Sequence, residues 1–246
     1  MQFSLFDDSS AAGVNAPPVV SGLAVGATDI ELTPTINQQA LSQQLQIIPL
    51  KDGQLHMLPQ WLSADLAEQY LTELSAGLAW QQSTIQLYGQ PRLIPRLNAW
   101  YGDPEAHYQY SGLNLPPLAW TPGLLQLRAA IGQTLQSLTS NRALGAGPLN
   151  SVLANLYRDE RDSVAWHSDD EPELGPQPLI ASLSLGAERR FSLKHKRIKG
   201  ERYDLMLSSG SLLIMSGATQ QHWQHALLKQ TLRSGPRINL TFRHIV

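Results

Sequence analysis

Hydrophobic residues recur with a helical period in the first half of the chain. After Ser63, whose hydroxyl can cap a helix, apolar side chains fall on one helical face: Leu66, Tyr70, Leu71 and Leu74. Thr121-Pro122 begins a second predicted helix. Its expected buried stripe consists of Leu124, Leu125, Leu127, Ile131, Leu135 and Leu138. The pattern therefore predicts two amphipathic helices.

From Leu149 onward the pattern changes to short apolar runs separated by turn residues. The predicted strands are 151–157, 179–185, 190–194, 203–207, 211–215, 223–228 and 237–245. Many short strands after two helices favour a mostly β fold, a sandwich or barrel with flanking helices packed outside.

Residues 1–46 are rich in Ala, Gly, Ser, Thr, Gln and Pro and show little periodicity, so we expect a disordered tail and a folded domain over 47–246. At its start, Gln2-Phe3-Ser4-Leu5-Phe6 contains three apolar side chains. This peptide at 2–6 is similar to the pentapeptide, Gln first and Leu-Phe last, that many bacterial repair proteins use to bind the sliding clamp. Gln2, Leu5 and Phe6 are the expected contacts; the alternative is a chance apolar cluster.

The composition excludes several classes of site. There is no cysteine, which rules out disulfides, thiolate metal sites and a cysteine nucleophile and suits a reducing cytoplasm. No secretory signal or run long enough to cross a bilayer is recognised, so we expect a cytoplasmic protein without a membrane partner, and a monomer. The first 50 residues carry four acidic residues and no Lys or Arg, so the remainder is slightly basic.

One triplet has the spacing of a metal site. In His167-Ser168-Asp169 the outer residues are two apart, so an extended backbone presents both to one ion. Two histidines and one carboxylate, with other positions open, form the facial triad of non-haem iron(II) oxygenases. The alternative interpretation of the triplet is a surface ion pair.

The third ligand must come from another strand. His222 and His225 are the candidates, and we favour His225 because it shares a strand face with Trp223. His195 lies in a basic run and His244 next to the C-terminus, so both are expected to be structural or solvent-facing.

Polar and apolar residues alternate without exception along the last predicted strand, from Arg237 to Arg243. Its polar face carries Arg237, Asn239, Thr241 and Arg243. Two arginines on one face are spaced to bind both ends of a small dicarboxylate through paired hydrogen bonds. The alternative is a polar outer face. Asn155 and Tyr157 on another strand could complete the site, unless that Tyr is an ordinary half-buried residue.

Several motifs, in order, resemble the AlkB family of DNA and RNA dealkylating dioxygenases. The resemblance covers about residues 47–246. It rests on Pro95-Arg96, Tyr101-Gly102-Asp103, Asn155-Leu156-Tyr157, His167-Ser168-Asp169-Asp170-Glu171, Ala181-Ser182-Leu183-Ser184-Leu185-Gly186, Gly217-Ala218-Thr219-Gln220, Trp223-Gln224-His225 and Pro236 to Arg243.

The resemblance implies a double-stranded β-helix, or jelly roll, over about 149–246 with an N-terminal nucleotide-recognition lid over about 80–120. It also implies Fe(2+), 2-oxoglutarate and O2 as cofactor and co-substrates. The implied iron ligands, which are also the catalytic residues, are His167, Asp169 and His225. Arg237 is expected on the distal carboxylate of 2-oxoglutarate and Arg243 near its keto-acid end, with Asn155, Tyr157, Asn239 and Thr241 completing the pocket.

The resemblance also implies alkylated DNA as the substrate. The expected base contacts are Tyr88, Tyr101, Tyr108, Tyr110, Ser111 and Asp170, with Tyr110 and Ser111 where a flipped base stacks, Asp170 at its exocyclic amine and Tyr88 as an aromatic wedge. For Tyr88, Tyr110, Ser111 and Asp170 the alternative is lid packing or a role beside the metal. Ser168 departs from relatives with a basic residue there.

A basic run is expected to contact phosphates next to this site. It consists of Arg189, Arg190, Lys194, Lys196, Arg197, Lys199 and Arg202. The alternatives to a DNA demethylase are the same chemistry on RNA or on a protein side chain, and a jelly roll that binds nucleic acid without catalysis. The complete set of predicted ligands and arginines argues against the last.

Overall fold

A computed structural model describes residues 44–87, 90–106, 108–110, 113–139 and 148–246. Nearly all of the predicted tail lies outside these residues, and so does the peptide at 2–6. In chain order the helices are α1 (Ala64–Gly77), α2 (Pro122–Thr139) and α3 (Thr219–His222), and a 3-10 turn spans Pro172–Leu174.

The strands, also in chain order, are β1 (Gln46–Leu50), β2 (Gly53–Leu58), β3 (Thr84–Leu87), β4 (Gln90–Leu93), β5 (Leu97–Gly102), β6 (Tyr108–Tyr110), β7 (Leu113–Leu115), β8 (Ser151–Tyr157), β9 (Val164–His167), β10 (Ile180–Gly186), β11 (Arg189–His195), β12 (Arg202–Leu207), β13 (Leu212–Ser216), β14 (Trp223–Leu227) and β15 (Arg237–Arg243).

Two antiparallel sheets form the core of the fold. The major sheet has seven strands in the order β1-β2-β13-β10-β15-β8-β5, and the minor sheet has the order β12-β11-β14-β9. Neighbours such as β10 and β13 are joined by long connections through the other sheet, which is the jelly-roll arrangement. The predicted mostly β, jelly-roll fold is confirmed.

Hydrophobic side chains fill both faces of the major sheet. One cluster lies between this sheet and the two long helices, with Leu183, Leu240 and Phe242 fully buried. A second cluster, containing Phe191 and Leu213, packs the major sheet against the minor one. The major sheet is therefore rigidly held from both sides.

The two predicted helices are present. The Ser63 hydroxyl accepts a hydrogen bond from the Leu66 amide at 3.3 Å, and α1 buries Ala67, Tyr70 and Leu74. In α2 the predicted stripe was wrong at one position, because Leu125 is 46% exposed. Leu124 and Leu125 are about 100° apart around the helix, so only one of them can face the core.

The strand predictions from residue 149 onward agree with the structure within two residues at each end. The pattern missed β9, which has only four residues, too few for an alternation to show. It also missed the β1–β2 hairpin, so strands precede the helices as well as follow them. Among the helices of the described part, none has the length and apolar character needed to cross a membrane.

Candidate metal and co-substrate site

Adjacent strands of the minor sheet bring the predicted metal ligands together. His167 ends β9 and pairs in register with His225 on β14, and Asp169 follows two residues later. The distance from Asp169 to Nε2 of each histidine is 3.9 Å, measured from Oδ1 to His167 and from Oδ2 to His225. Two ligands of one ion, each about 2.1 Å from it, lie at most about 4.2 Å apart. The three side chains are thus within reach of a single ion.

The protein fixes the ring orientation of His167. Its Nδ1 lies 2.8 Å from the carbonyl oxygen of Ala165, which can only accept, so Nδ1 carries the proton. Nε2, on the side of Asp169, is left with its lone pair, as a metal ligand requires. The Asp169 backbone amide donates to the Gln220 side chain at 3.0 Å. Both contacts hold the ligands without occupying their metal-facing atoms.

The charges of the cluster also suit a cation. Burial lowers the pKa of His167, and burial together with the neighbouring imidazole lowers the pKa of His225 to about 3, so both rings are neutral. Burial raises the pKa of Asp169, but the charge and hydrogen bond of the Arg243 guanidinium oppose it, and the net pKa is lowered. One anionic and two neutral ligands result, which is the donor set of a facial triad.

A second group of potential ligands, Asp52, His195 and His222, also lies within 4.8 Å. His195 is buried, and its Nδ1 accepts hydrogen bonds from the backbone amides of Arg197 at 3.1 Å and Ile198 at 3.0 Å. Nδ1 therefore lacks a proton, and Nε2, 3.6 Å from Asp52 Oδ2, carries it. Because that nitrogen has no free lone pair, the group does not suit a metal. His195 is structural, as one of the two expectations had it.

The polar face of β15 lines a cleft beside the His167 cluster. Arg237 is 2% exposed and donates to the Ser184 hydroxyl at 2.9 Å. Asn239 donates to the Ser182 hydroxyl at 2.7 Å and accepts from Thr241 at 3.1 Å. The side chains predicted from the alternation thus face inward rather than outward to water, and two serines of β10 orient them.

The cleft is rich in buried positive charge. Arg243 donates to Asp169 at 2.8 Å, so one guanidinium is paired at the metal end. Across the described residues no carboxylate forms an ion pair with Arg237 or with Arg96, which also lines the cleft. A buried cation without a counter-ion is costly, so the cleft is suited to an anionic ligand.

Arg96 is a site residue that sequence reasoning did not single out. Its Nε donates to Asn155 Oδ1 at 2.7 Å, and its side chain reaches the cleft from the connection between β4 and β5. Pro95-Arg96 was visible only as part of a motif, because nothing local in the sequence shows which way an arginine in a connecting segment points.

Comparisons with known proteins decide the family. A family model described as the 2OG-Fe(II) oxygenase superfamily matches residues 54–243. The alpha-ketoglutarate-dependent dioxygenase alkB homolog 3 of Bos taurus is 38% identical over 211 residues, covering 82% of this chain and 70% of that one. The DNA oxidative demethylase ALKBH2 of Mus musculus is 39% identical over 173 residues, covering 66% of each chain.

The chain belongs to the AlkB family of 2OG-Fe(II) oxygenases. It is an iron(II)- and 2-oxoglutarate-dependent dioxygenase. Solved structures agree on the fold alone: a Pseudomonas putida prolyl-4-hydroxylase superposes with a TM-score of 0.53 at 15% identity, over 78% of this chain and 92% of that one. OsALKBH1 gives 0.51 at 18% identity, over 81% and 100%.

The residues expected to contact the base in this AlkB enzyme do not all lie at the cleft. Tyr101 is 4% exposed, and its hydroxyl accepts a hydrogen bond from the Ala79 amide at 2.8 Å. It packs in the core between the major sheet and the two long helices and does not line the cleft. Tyr108 and Tyr110 lie on β6, which pairs with β7. Tyr88 and Ser111 lie outside the described residues.

Asp170 is exposed and accepts a hydrogen bond from Lys196 at 3.0 Å. The nearby Ser168 donates to the Trp223 carbonyl at 2.8 Å and so ties the end of β9 to β14. Lys196 also donates to the Gln220 carbonyl at 2.8 Å. A basic side chain from the β11–β12 turn is therefore held next to the metal-binding segment.

Most of the basic run forms an exposed hairpin of β11 and β12. On its outer face, Lys194 lies 4.4 Å and the Arg202 guanidinium 5.9 Å from the ring centre of Trp166. One member was predicted wrongly: Arg189 is 1% exposed and cannot contact a phosphate. At the start of β11 it points inward, opposite to Arg190, as strand alternation requires.

Proposed function

We propose that this enzyme repairs DNA by oxidative removal of N-linked alkyl groups from bases, with lesions of the 1-methyladenine and 3-methylcytosine type as substrates. The observation that carries the proposal is the cleft in which His167, Asp169 and His225 meet next to the guanidinium of Arg237, which pairs with no carboxylate among the described residues. Relatives named DNA oxidative demethylases and alkB homolog 3 support this substrate class.

In this proposal His167, Asp169 and His225 hold the iron. Iron held there would supply the oxidation, in which oxygen and 2-oxoglutarate would be converted to succinate and carbon dioxide and the hydroxylated N-alkyl carbon would be lost as an aldehyde. The chain's own part is orientation. The Ala165 carbonyl fixes the tautomer of His167, and Gln220 and Arg243 hold Asp169 in place.

Arg237 binds the distal carboxylate of 2-oxoglutarate, and Arg243 lies near its keto-acid end. Ser184 orients Arg237, while Asn155, Tyr157, Asn239 and Thr241 line the same cleft. The positive charge of Arg237, desolvated by burial, is neutralised when the dicarboxylate binds. Since the arginine is held in place before binding, little side-chain entropy is lost.

The damaged base must leave the helix to reach this cleft, at a cost of a few kcal/mol. Methylation of the Watson–Crick edge weakens pairing and lowers that cost, which favours damaged bases. Tyr110 and Ser111 are proposed to stack on the flipped base, Tyr88 to fill the gap, and Asp170, released from Lys196, to accept from an exocyclic amine. Tyr108 completes the proposed lid contacts, whereas Tyr101 is buried in the core and has no part in them.

The test is a demethylation assay. The protein is incubated with iron(II), 2-oxoglutarate, ascorbate and oligonucleotides carrying 1-methyladenine or 3-methylcytosine, single- and double-stranded, and loss of the methyl group is followed by mass. We expect turnover by the wild type and none by His167→Ala or Asp169→Ala. Full turnover by either variant would refute the ligand assignment. An RNA strand with the same lesion, if preferred, would make RNA the substrate.

We further propose that Gln2, Leu5 and Phe6 bind the sliding clamp, on the strength of the peptide at 2–6. Replacing Leu5 and Phe6 by Ala is expected to abolish retention on immobilised clamp and to leave turnover of short oligonucleotides unchanged. Replacing Ser9 and Ser10 by Ala is the matched control and should keep retention. Equal retention by both variants would show that the peptide is a chance cluster.

A further inference from the structure

Arg189 is a buried cation that the proposed mechanism does not use. It begins β11 and its guanidinium donates to three backbone carbonyls: Asp159 at 3.1 Å, Asp162 at 3.0 Å and Leu228 at 3.0 Å. It forms no ion pair with a carboxylate in the portion of the chain that the structure describes. Its charge is therefore solvated directly by peptide dipoles behind the co-substrate cleft. Burial lowers the pKa of Arg189, whereas the carboxylates of Asp159, Glu160 and Asp162 act on it from a greater distance and raise it.

These three bonds fix the segments that carry the site. Asp159 and Asp162 lie in the connection between β8 and β9, just after Tyr157 and just before the strand that ends at His167. Leu228 directly follows β14, which carries His225. Arg189 thus ties together the ends of the three strands that contribute Tyr157, His167 and His225.

Its charge also lies close to Arg237. The guanidinium carbons of Arg189 and Arg237 lie 6.0 and 5.3 Å from the ring centre of Tyr157, which is 3% exposed. Burial lowers the pKa of Arg237 to about 10; Tyr157 opposes this change and the charge of Arg189 adds to it. The two like charges share one aromatic ring in a desolvated region, so a dianion bound at Arg237 relieves the repulsion between them.

We infer that Arg189 is a positioning residue that gives the cleft its preference for a dicarboxylate: its three carbonyl bonds set the back wall formed by Tyr157, and its charge strengthens the attraction of Arg237 for the distal carboxylate. This inference rests on the proposed role of Arg237. Arg189 touches neither co-substrate nor iron. Its effect is on the far end of 2-oxoglutarate, and not on the keto-acid end at the metal.

Two ligands distinguish binding at the distal carboxylate from binding at the keto-acid end. 2-Oxoglutarate and 2-oxopentanoate have the same five-carbon chain and keto-acid group, but only the first has a distal carboxylate. The dissociation constant of each is measured by calorimetry with manganese(II) in place of iron, without oxygen and without nucleic acid. Within one variant, the ratio of the two dissociation constants measures the contribution of the distal carboxylate to binding. A general loss of protein stability affects both constants and does not change the ratio.

Two substitutions separate charge from hydrogen bonding at Arg189. Arg189→Gln removes the charge and keeps donors for the carbonyls; Arg189→Lys keeps the charge. We expect the glutamine variant to lose about tenfold in affinity for 2-oxoglutarate with less than about threefold change for 2-oxopentanoate, and the lysine variant to keep its preference within about threefold. Arg161→Met is the matched control, because it removes an arginine whose side chain is 79% exposed from the β8–β9 connection that Arg189 contacts; it should behave as the wild type.

The inference is overturned if the ratio of the two dissociation constants keeps its wild-type value in both Arg189 variants. Affinity losses that are equal for the two ligands would show a structural role only. If the glutamine variant does not fold, Arg189→Met takes its place as the variant without the charge: a fall of about tenfold in the preference for 2-oxoglutarate supports the inference, and a wild-type ratio overturns it. Arg237→Met is measured beside them. If it keeps the wild-type ratio, the proposed co-substrate site itself is wrong, which is a different outcome from a failure confined to Arg189.

Discussion

The predicted metal ligands are oriented by contacts to atoms that do not face the metal site. Nδ1 of His167 is bonded to a carbonyl, so its Nε2 is left for a metal, and the Gln220 side chain holds the backbone of Asp169 in place. The spacing His167-Ser168-Asp169 and the choice of His225 over His222 could be predicted, because both follow from strand alternation. The roles of Arg96 and Arg189 could not, because only the folded chain shows which arginines are buried.

A residue-scale prediction concerns Asp162, a buried carboxylate in the β8–β9 connection. It accepts from the Arg158 amide at 2.9 Å and from its guanidinium at 2.7 Å. Asp162→Asn keeps the shape but loses the charge-assisted bonds, so we expect the free energy of unfolding at pH 7 to fall by about 1–3 kcal/mol. Urea unfolding measures this, with the exposed Asp204→Asn as a control that should change little.

The same pair predicts a pH dependence. Burial raises the pKa of Asp162, but the bonds from Arg158 outweigh it and the net pKa is lowered in the folded state. Its contribution to stability is therefore complete above the unfolded pKa of about 3.9 and is lost as pH falls through the lower folded value. Between pH 5 and pH 2 the wild type should lose more stability than Asp162→Asn; parallel curves would contradict this.

At the scale of elements, the turn at Gly186 fixes where β10 ends and allows the start of β15 to approach it closely. Gly186 ends β10 with φ of +87°, and a Cβ there would overlap the carbonyl oxygen of Pro236, just before Arg237. The strands on both sides, β10 and β11, were predictable from their short apolar runs. β9 was not, although it carries His167, because four residues give no periodicity and its pairing with β14 is long-range.

Gly186→Ala is expected to destabilise the protein by about 2–4 kcal/mol, since it combines a left-handed backbone with a backbone overlap. Gly132→Ala is the matched control. Gly132 lies in α2 with nothing within 4 Å of a Cβ, so the same substitution there should stabilise by about 0.5–1 kcal/mol. Thermal unfolding compares the two; an equal effect at both positions would contradict this account of the turn.

At the scale of the whole molecule, the two faces of the minor sheet carry different groups of side chains. Its inner face carries His225, and its outer face carries Trp166 between the cations Lys194 and Arg202. The jelly roll was predictable from strand number and motif order. The contacts of the lid with a base were not, because they depend on side chains from several segments, and Tyr101 turned into the core instead.

The outer face predicts how binding responds to salt. Replacing Lys194 and Arg202 by Ser should weaken binding equally for methylated and unmethylated strands, because phosphate contacts do not read bases. The slope of log affinity against log salt should fall by about 0.7–0.9 per residue. Fluorescence anisotropy between low and moderate salt measures this, with the exposed Lys51→Ser as control. An unchanged slope would remove this face from the nucleic-acid surface.

The most direct test of the central claim is a crystal structure with manganese(II) and 2-oxoglutarate, grown without oxygen. It should show the metal about 2.0–2.2 Å from Nε2 of His167, an Asp169 carboxylate oxygen and Nε2 of His225, with the distal carboxylate paired to Arg237. A metal held by Asp52, His195 and His222, or a distal carboxylate that does not touch Arg237, would contradict it.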